Sequence, residues 1–365
     1  MAYNSRGLVI YIFQATKRTL GGLGDRVAGL ITAVSFAIRT NRNFRLLMED
    51  FSEGESPFLT QINLGRFDDT IKYYNKSVRD LSNCINPSNV SCALDADIEE
   101  KVILYASNRA YLCRWASDGN TPAHQQLQTI GISYLSNLHE AAGCMLRVGL
   151  RPSPRLWESV DKLLPFSNQN KIKYQIGIHF RCGDMIFTKE NSCMKEPRLC
   201  CPRIPSPFKI TDCATGLMKK HNAKSTRIPS LFFNEKNYFI YVTSDNIYLG
   251  KEISKMLSSY HTFTTPSSCH IDFGNKSLDC FTTTIVHWFV LSLSDHIIAQ
   301  SNYIPPTDED YMLHRPRSAF SKYASMYGLR PAGLRLETNC RPINMSRFYH
   351  TSSGNWVCST GSKLL

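Results

Sequence analysis

"LGGLGDRVAGLITAVSFAIRTNRNFRL", Leu20 to Leu46, decides how the first half of this chain is read. An apolar run from Leu8 to Phe13 precedes it and reads as a buried strand. Within the stretch, Val27, Leu30, Ile31, Val34 and Ile38 recur at helical spacing, and Thr40 to Phe44 leads toward a second strand. Strand, glycine turn, helix and strand together open a parallel α/β sheet. The glycines pose the chemical question. A dinucleotide loop needs G-x-G-x-x-G, and from Gly22 the third glycine would fall at Val27; a phosphate loop needs G-K-[ST], and here Asp25 and Arg26 follow. Neither signature fits. What remains is either a tight βα turn or a place where backbone N–H groups of Gly21 to Arg26 meet a ligand.

The second half repeats the pattern. "KYQIGIHF" reads as a strand that ends in "RCGD", Arg181 to Asp184. "NYFIYVTSD", Asn237 to Asp245, is another buried strand, followed by a helix through Lys251 and Leu257. "FTTTIVHWFVLSLSD" predicts a helix, "HIIAQS" a short strand and "SAFSKYASMYG" a last helix. The chain is therefore expected to be α/β, with two Rossmann-like domains at residues 1–165 and 166–365. A Cys- and Pro-rich insertion is expected at residues 191–213. Phe51 to Asp97 reads as polar, irregular decoration, and the region after it as helical, with Ser133 to Leu150 and Arg151 to Pro165 its clearest segments.

Composition narrows the partners. Among 365 residues, 42 Lys and Arg face 30 Asp and Glu, a net charge of +12. Such a surface suits diphosphates and anionic glycans, or is simply solvated. The basic residues form no run and no nucleic-acid module, so no nucleic-acid partner is expected. The 13 cysteines form no C-x-x-C pair, which argues against a zinc ribbon and for disulfides in an oxidising lumen. Sequons at Asn75, Asn89, Asn275 and Asn344 point the same way. No apolar run approaches the roughly 18 residues of a membrane helix. The expectation is a lumenal chain, in the Golgi or endoplasmic reticulum, whose membrane anchor lies outside these residues; a cytoplasmic chain is the alternative.

The chemistry gathers at strand ends. His179 and Arg181 share one strand face at the end where open α/β sheets bind ligands. A guanidinium bonds two phosphate oxygens at once and stays charged. Asp245 ends the next strand, and Ser318 and Ser321 open a helix, where hydroxyl and N–H groups cap the helix or receive phosphate. "DED", Asp308 to Asp310, resembles a metal-binding D-x-D but sits in a proline-rich loop and reads as solvated charge.

Taken in order, "GGLGDRVAGLITAVSFAIRTNRNF", "HFRCGD", "TSD" and "LSLSDHIIAQ…SAFSKYASMYG" resemble the GDP-fucose-dependent fucosyltransferases of the α1,2-, α1,6- and protein O-linked group. The likeness is spread over Gly21 to Gly328. It implies a GT-B fold, two sheets facing across a cleft, and inverting transfer of fucose to a glycan or protein hydroxyl with no metal or other cofactor. It also assigns roles. Arg181 would hold the β-phosphate and help GDP depart, and His179 would contact the guanosine part. Ser318, Phe320 and Ser321 would form the small phosphate motif, and Asp245 the acid at the second strand end. Gly22, Gly24, Asp25 and Arg26 would line the cleft. A base, if one is used, would be Asp25, Asp184 or Glu190. The chain departs from the pattern in three ways: Asp25 stands where Asn is frequent, Cys182 where a second Arg is frequent, and His287 where the α1,6 group has an acid that reads guanine. "NYIPPTDEDYMLHRPR" also separates the serine motif from its strand. These departures keep two other readings open: an inactive glycan- or partner-binding relative, and a transferase for another nucleotide sugar.

Overall fold

The computed structural model describes residues 7–14, 22–48, 51, 55–62, 67–69, 72, 77–84, 94, 98–108, 110–117, 119–132, 138–164, 174–181, 206–225, 238–265, 278–300, 319–330, 333–336, 340 and 342. They divide into two compact units, one reaching Leu156 and one spanning Trp157–Ile343.

The first unit is built on β1 (Leu8–Gln14), α1 (Leu23–Arg39) and β2 (Asn43–Met48), as the opening stretch predicts. β3 (Gln61–Ile62), β4 (Val78–Cys84) and β5 (Val102–Ser107) complete a wholly parallel sheet in the order β3-β2-β1-β5-β4. Helices α2 (Leu112–Ser117), α3 (Pro122–Thr129), α4 (Leu138–Gly149) and α5 (Pro154–Leu163) follow, the last crossing the division between the units. Val9 to Phe13 are buried on both faces of β1, the mark of a parallel sheet covered on both sides. α1 is buried nearly all round, between the sheet and α2 to α4. Gly29 makes this possible: a Cβ there would lie 1.8 Å from the Ser107 carbonyl oxygen, so only glycine lets the helix settle on the end of β5.

The structure corrects the reading of Phe51 to Asp97 as decoration, because β3 and β4 lie within it. β4 is a sheet edge of mainly polar residues, with Leu81 buried and Arg79 and Asp80 exposed, so it carries little hydrophobic signal. β5 lies in the region read as helical. Its "VILYAS" is a continuous apolar run, as a strand buried between two parallel neighbours should be.

The second unit contains β6 (Tyr174–Phe180), α6 (Pro207–Ser225), β7 (Tyr238–Ser244), α7 (Ile247–Met256), β8 (His261–Thr264), α8 (Leu278–Ser292), β9 (His296–Ala299), α9 (Ala319–Tyr327) and β10 (Leu334–Leu336). Its five strands are also all parallel, in the order β10-β9-β6-β7-β8. The α/β expectation of two Rossmann-like parallel sheets holds. Ile176, Ile178 and Phe180 join Ile240 and Val242 in a core with α6 and α7. The alternate residues of β6 face α8: the Gln175 amide donates to the Val290 carbonyl, and a Cβ on Gly177 would meet Leu291 at 2.5 Å. Pro207 to Cys213, assigned from sequence to the insertion, are the start of α6, and Ile210 and Cys213 lie in its core. Residues 191–205 of that insertion lie outside the described residues. A disulfide joins Cys213 to Cys340, just beyond β10. Cys84 and Cys280 are also disulfide-bonded, while Cys144 is free and exposed on α4.

Candidate functional site

Chain order locates the crevices. β6 connects to β7 and β8 on one side, and the chain then returns to place β9 and β10 on the other. The switch point therefore lies between β6 and β9, at their C-terminal ends, where open sheets bind ligands. His179, Arg181 and Gln300 meet there. His179 pairs in register with Ala299, and its carbonyl accepts the Gln300 N–H at 3.2 Å. The Arg181 N–H donates to Gln300 Oε1 at 3.0 Å. Gln300 is buried, and Arg181 is half-buried just past the strand end.

α9 supplies the other wall. Phe320 in its first turn stacks on the His179 ring at 4.9 Å between centroids and 25° between planes. The Trp288 indole N–H of α8 donates to the Phe320 carbonyl at 3.1 Å, which fixes where α9 begins. Ser321 is fully buried beside it. Burial, and secondarily the Arg181 charge, push the His179 pKa down to about 3, so its imidazole is neutral at any working pH.

At the end of β7, Asp245 is half-buried. Its neighbours build the turn: the Asn246 N–H donates to Ser244 Oγ at 2.9 Å, and Asn246 Oδ1 caps α7 by accepting from the N–H groups of Tyr248 and Leu249. His287, on α8, is also buried. Its Nδ1 is hydrogen-bonded to the Tyr241 hydroxyl, and burial lowers its pKa to about 4. Asp295 lies at the opposite, N-terminal edge, where it accepts the Gln175 N–H and pairs with Arg330 at 2.8 Å.

The candidates of the first unit sit differently. The helix starts at Leu23 with Gly22 as its N-cap, four residues earlier than the apolar spacing from Val27 suggests. Gly24, Asp25 and Arg26 are thus its first turn and not a loop. An acid there is favoured by the helix dipole, and Asp25 is exposed. Arg26 is 3% exposed, and its guanidinium donates to the Phe13 carbonyl at 2.9 Å. The Tyr11 hydroxyl lies 2.8 Å from the carbonyl oxygens of both Arg26 and Ser107. It bridges α1, β1 and β5 at this sheet's own switch point, between β1 and β5. Gly21, Asp184, Glu190, Ser318 and Asp308 to Asp310 lie outside the described residues.

Sequence reasoning singled out His179, Arg181, Asp245, Phe320 and Ser321, and all five lie in the second unit, four of them around one strand end. It passed over Gln300 and Asn246. Their signal was position: each is the polar residue at or next to the end of an apolar strand. Among the described residues, no group of three or more His, Cys, Asp or Glu side chains is placed to hold a metal ion. Nor is any helix among them long and apolar enough to cross a membrane.

The sequence matches no protein-family model and no curated protein. Among solved structures, the chain is similar to a substitution variant of Arabidopsis thaliana FUT1 in complex with GDP, at 13% identity and a TM-score of 0.47, over 92% of this chain and 71% of that one. It is also similar to the α-1,6-fucosyltransferase NodZ soaked with GDP-fucose, at 16% identity and a TM-score of 0.39, over 88% and 92%. A third likeness is to POFUT1 in complex with GDP-fucose, at 12% identity and a TM-score of 0.39, over 88% and 95%.

Proposed function

We propose that the protein transfers fucose from GDP-fucose to a hydroxyl of a glycan or protein, by one inverting displacement that calls for no metal ion. The observation that carries this reading is the grouping of His179, Arg181, Gln300 and Phe320 at the switch point of the second sheet. The order of the glycine, H-x-R-x-G-D and S-x-F-S motifs along the chain supports it.

In this reading the β-phosphate lies against Arg181 and the first turn of α9, which contains Ser321 and follows Ser318 in the sequence. As the bond from the anomeric carbon to the phosphate oxygen breaks, positive charge grows on the sugar and negative charge on the departing GDP. A fixed guanidinium and helix N–H groups meet that negative charge without rearranging. The acceptor oxygen bonds to the anomeric carbon from the opposite face, which inverts it. The acceptor's proton passes to a carboxylate, with Asp184 and Glu190 the candidates on the segment after Arg181. His179 is too weak a base for this step, since its pKa of about 3 leaves it neutral and reluctant to take a proton. It serves as a neutral hydrogen-bonding face toward the nucleoside, held by Phe320. The Cys213–Cys340 disulfide and the bonded Cys84 and Cys280 support a lumenal setting.

Titration calorimetry with GDP and GDP-fucose tests the donor, and a glycan and peptide array scored with and without chelator tests transfer. The anomeric configuration of the product, read by NMR, tests inversion. A chain that binds neither nucleotide has another function.

A further inference from the structure

We infer that Gln300 is a positioning residue that holds Arg181 in place with a side chain where a strand would use backbone; the inference rests on the donor reading above. In a parallel pair, one residue bonds across to two residues of its neighbour, giving its N–H to one and its C=O to the other. Gln300 makes the first of these bonds in the ordinary way, its N–H donating to the His179 carbonyl at 3.2 Å. The second bond, from the Arg181 N–H, goes to Gln300 Oε1 at 3.0 Å.

The side-chain amide thus takes the place of the main-chain carbonyl that would continue the ladder. The β6–β9 register ends at His179 and Ala299, and β9 ends with it. Arg181 is still held as if it were a strand residue. This arrangement fixes the arginine's backbone with no further residue of β9. Gln300 is only 4% exposed, so the bond is shielded from competing water. A two-pronged guanidinium contact to phosphate depends on where its backbone sits, and small misplacements of such groups are costly. Leucine at 300 has nearly the same bulk but accepts no hydrogen bond, so it would remove the side-chain acceptor that the Arg181 N–H uses.

The test is a double-mutant cycle read by GDP calorimetry on the full chain: wild type, Gln300→Leu, Arg181→Ala and the double variant, with Gln300→Met as a second apolar variant should Leu fail to fold. Gln300→Leu is expected to weaken GDP about tenfold, the worth of one buried hydrogen bond. In the Arg181→Ala background the same change is expected to cost less than about twofold, because the arginine it positions is gone. Equal loss in both backgrounds would show that Gln300 acts elsewhere and overturn the inference, as would unchanged affinity in the single variant. Failure of the wild type to bind GDP would instead overturn the donor reading itself.

Discussion

The two units are parallel sheets of five strands, and each begins with its central strand, yet they treat their crevices in opposite ways. In the first, the order β3-β2-β1-β5-β4 brings the chain back from the edge, and the crevice beside β1 is closed by Tyr11 and Arg26 bonding to backbone carbonyls. In the second, the order β10-β9-β6-β7-β8 leaves His179, Arg181 and Phe320 around the equivalent place. The buried polar groups differ as well. α1 and the turn after it bury Arg26, Arg39 and Arg42. Arg39 lies over the Phe36 and Trp115 rings and bonds to the Leu94 carbonyl, and Arg42 bonds to the Ile98 carbonyl. The second unit buries His179 and His287, and one lysine, Lys322, over the Tyr323 ring. Arginine stays charged when buried, so it must be given acceptors; histidine can be buried by giving up its proton. The buried basic groups of the first unit's α1 are thus fixed charges, whereas two of the three named in the second are groups that acid can recharge.

The sharpest way to test this contrast is to remove one arginine from each crevice. Arg181→Ala is expected to slow transfer by about a thousandfold, the scale of losing a preorganised transition-state donor, with little change in melting temperature. Steady-state kinetics beside calorimetric melting reads both. A smaller effect is expected at the staple of the second unit. Cys213→Ser with Cys340→Ser opens a loop whose ends are 127 residues apart, and should cost that unit on the order of 3 kcal/mol, measured by denaturant unfolding.

Acid should separate the units next. His179 and His287 have folded pKa values of about 3 and 4, below the ordinary 6.5 of the unfolded chain. Their stabilisation is fully present above pH 6.5 and is lost as pH falls from 6.5 toward those values. Each costs about 1.4 kcal/mol per pH unit, so hydrogen exchange at pH 5 should speed up in β6 and β7 before β1 and β2. If β1 and β2 open first, the contrast between fixed and rechargeable groups is wrong. The smallest effect belongs to Arg26→Met. It removes the Arg26 hydrogen bond to the Phe13 carbonyl and should cost about 1–2 kcal/mol in the first unit, while GDP affinity stays within twofold.

How much of this could be read from the residues depends on what each one answers to. β1, β6, β7 and α8 were legible because unbroken apolar runs admit few structures. β4 was not, since an edge strand such as "VRDLSNC" is half solvated, nor was the start of α6, where Cys213 and the prolines suggested a loop. His179 and Arg181 could be found because period-two alternation and the strand end place them together. Arg26 reads the same in sequence whether it faces a ligand or its own backbone, and only the fold shows its guanidinium on Phe13. Gln300 has no motif of its own, because its part in the ladder exists only once β9 lies beside β6.

The Cys213–Cys340 bridge also decides what a protease could release. It closes a ring that contains α7 to α9 and β7 to β10, and a single cut anywhere inside it leaves both pieces joined until a reductant is added. β6 lies outside that ring. The strand that carries His179 and leads to Arg181 is held between β7 and β9 by hydrogen bonds and by its core packing, so a nick between Arg181 and Pro207 would leave the ring whole with respect to this bridge. As far as this bridge is concerned, a cut there parts the chain on a denaturing gel even without a reductant, whereas a cut inside the ring does not.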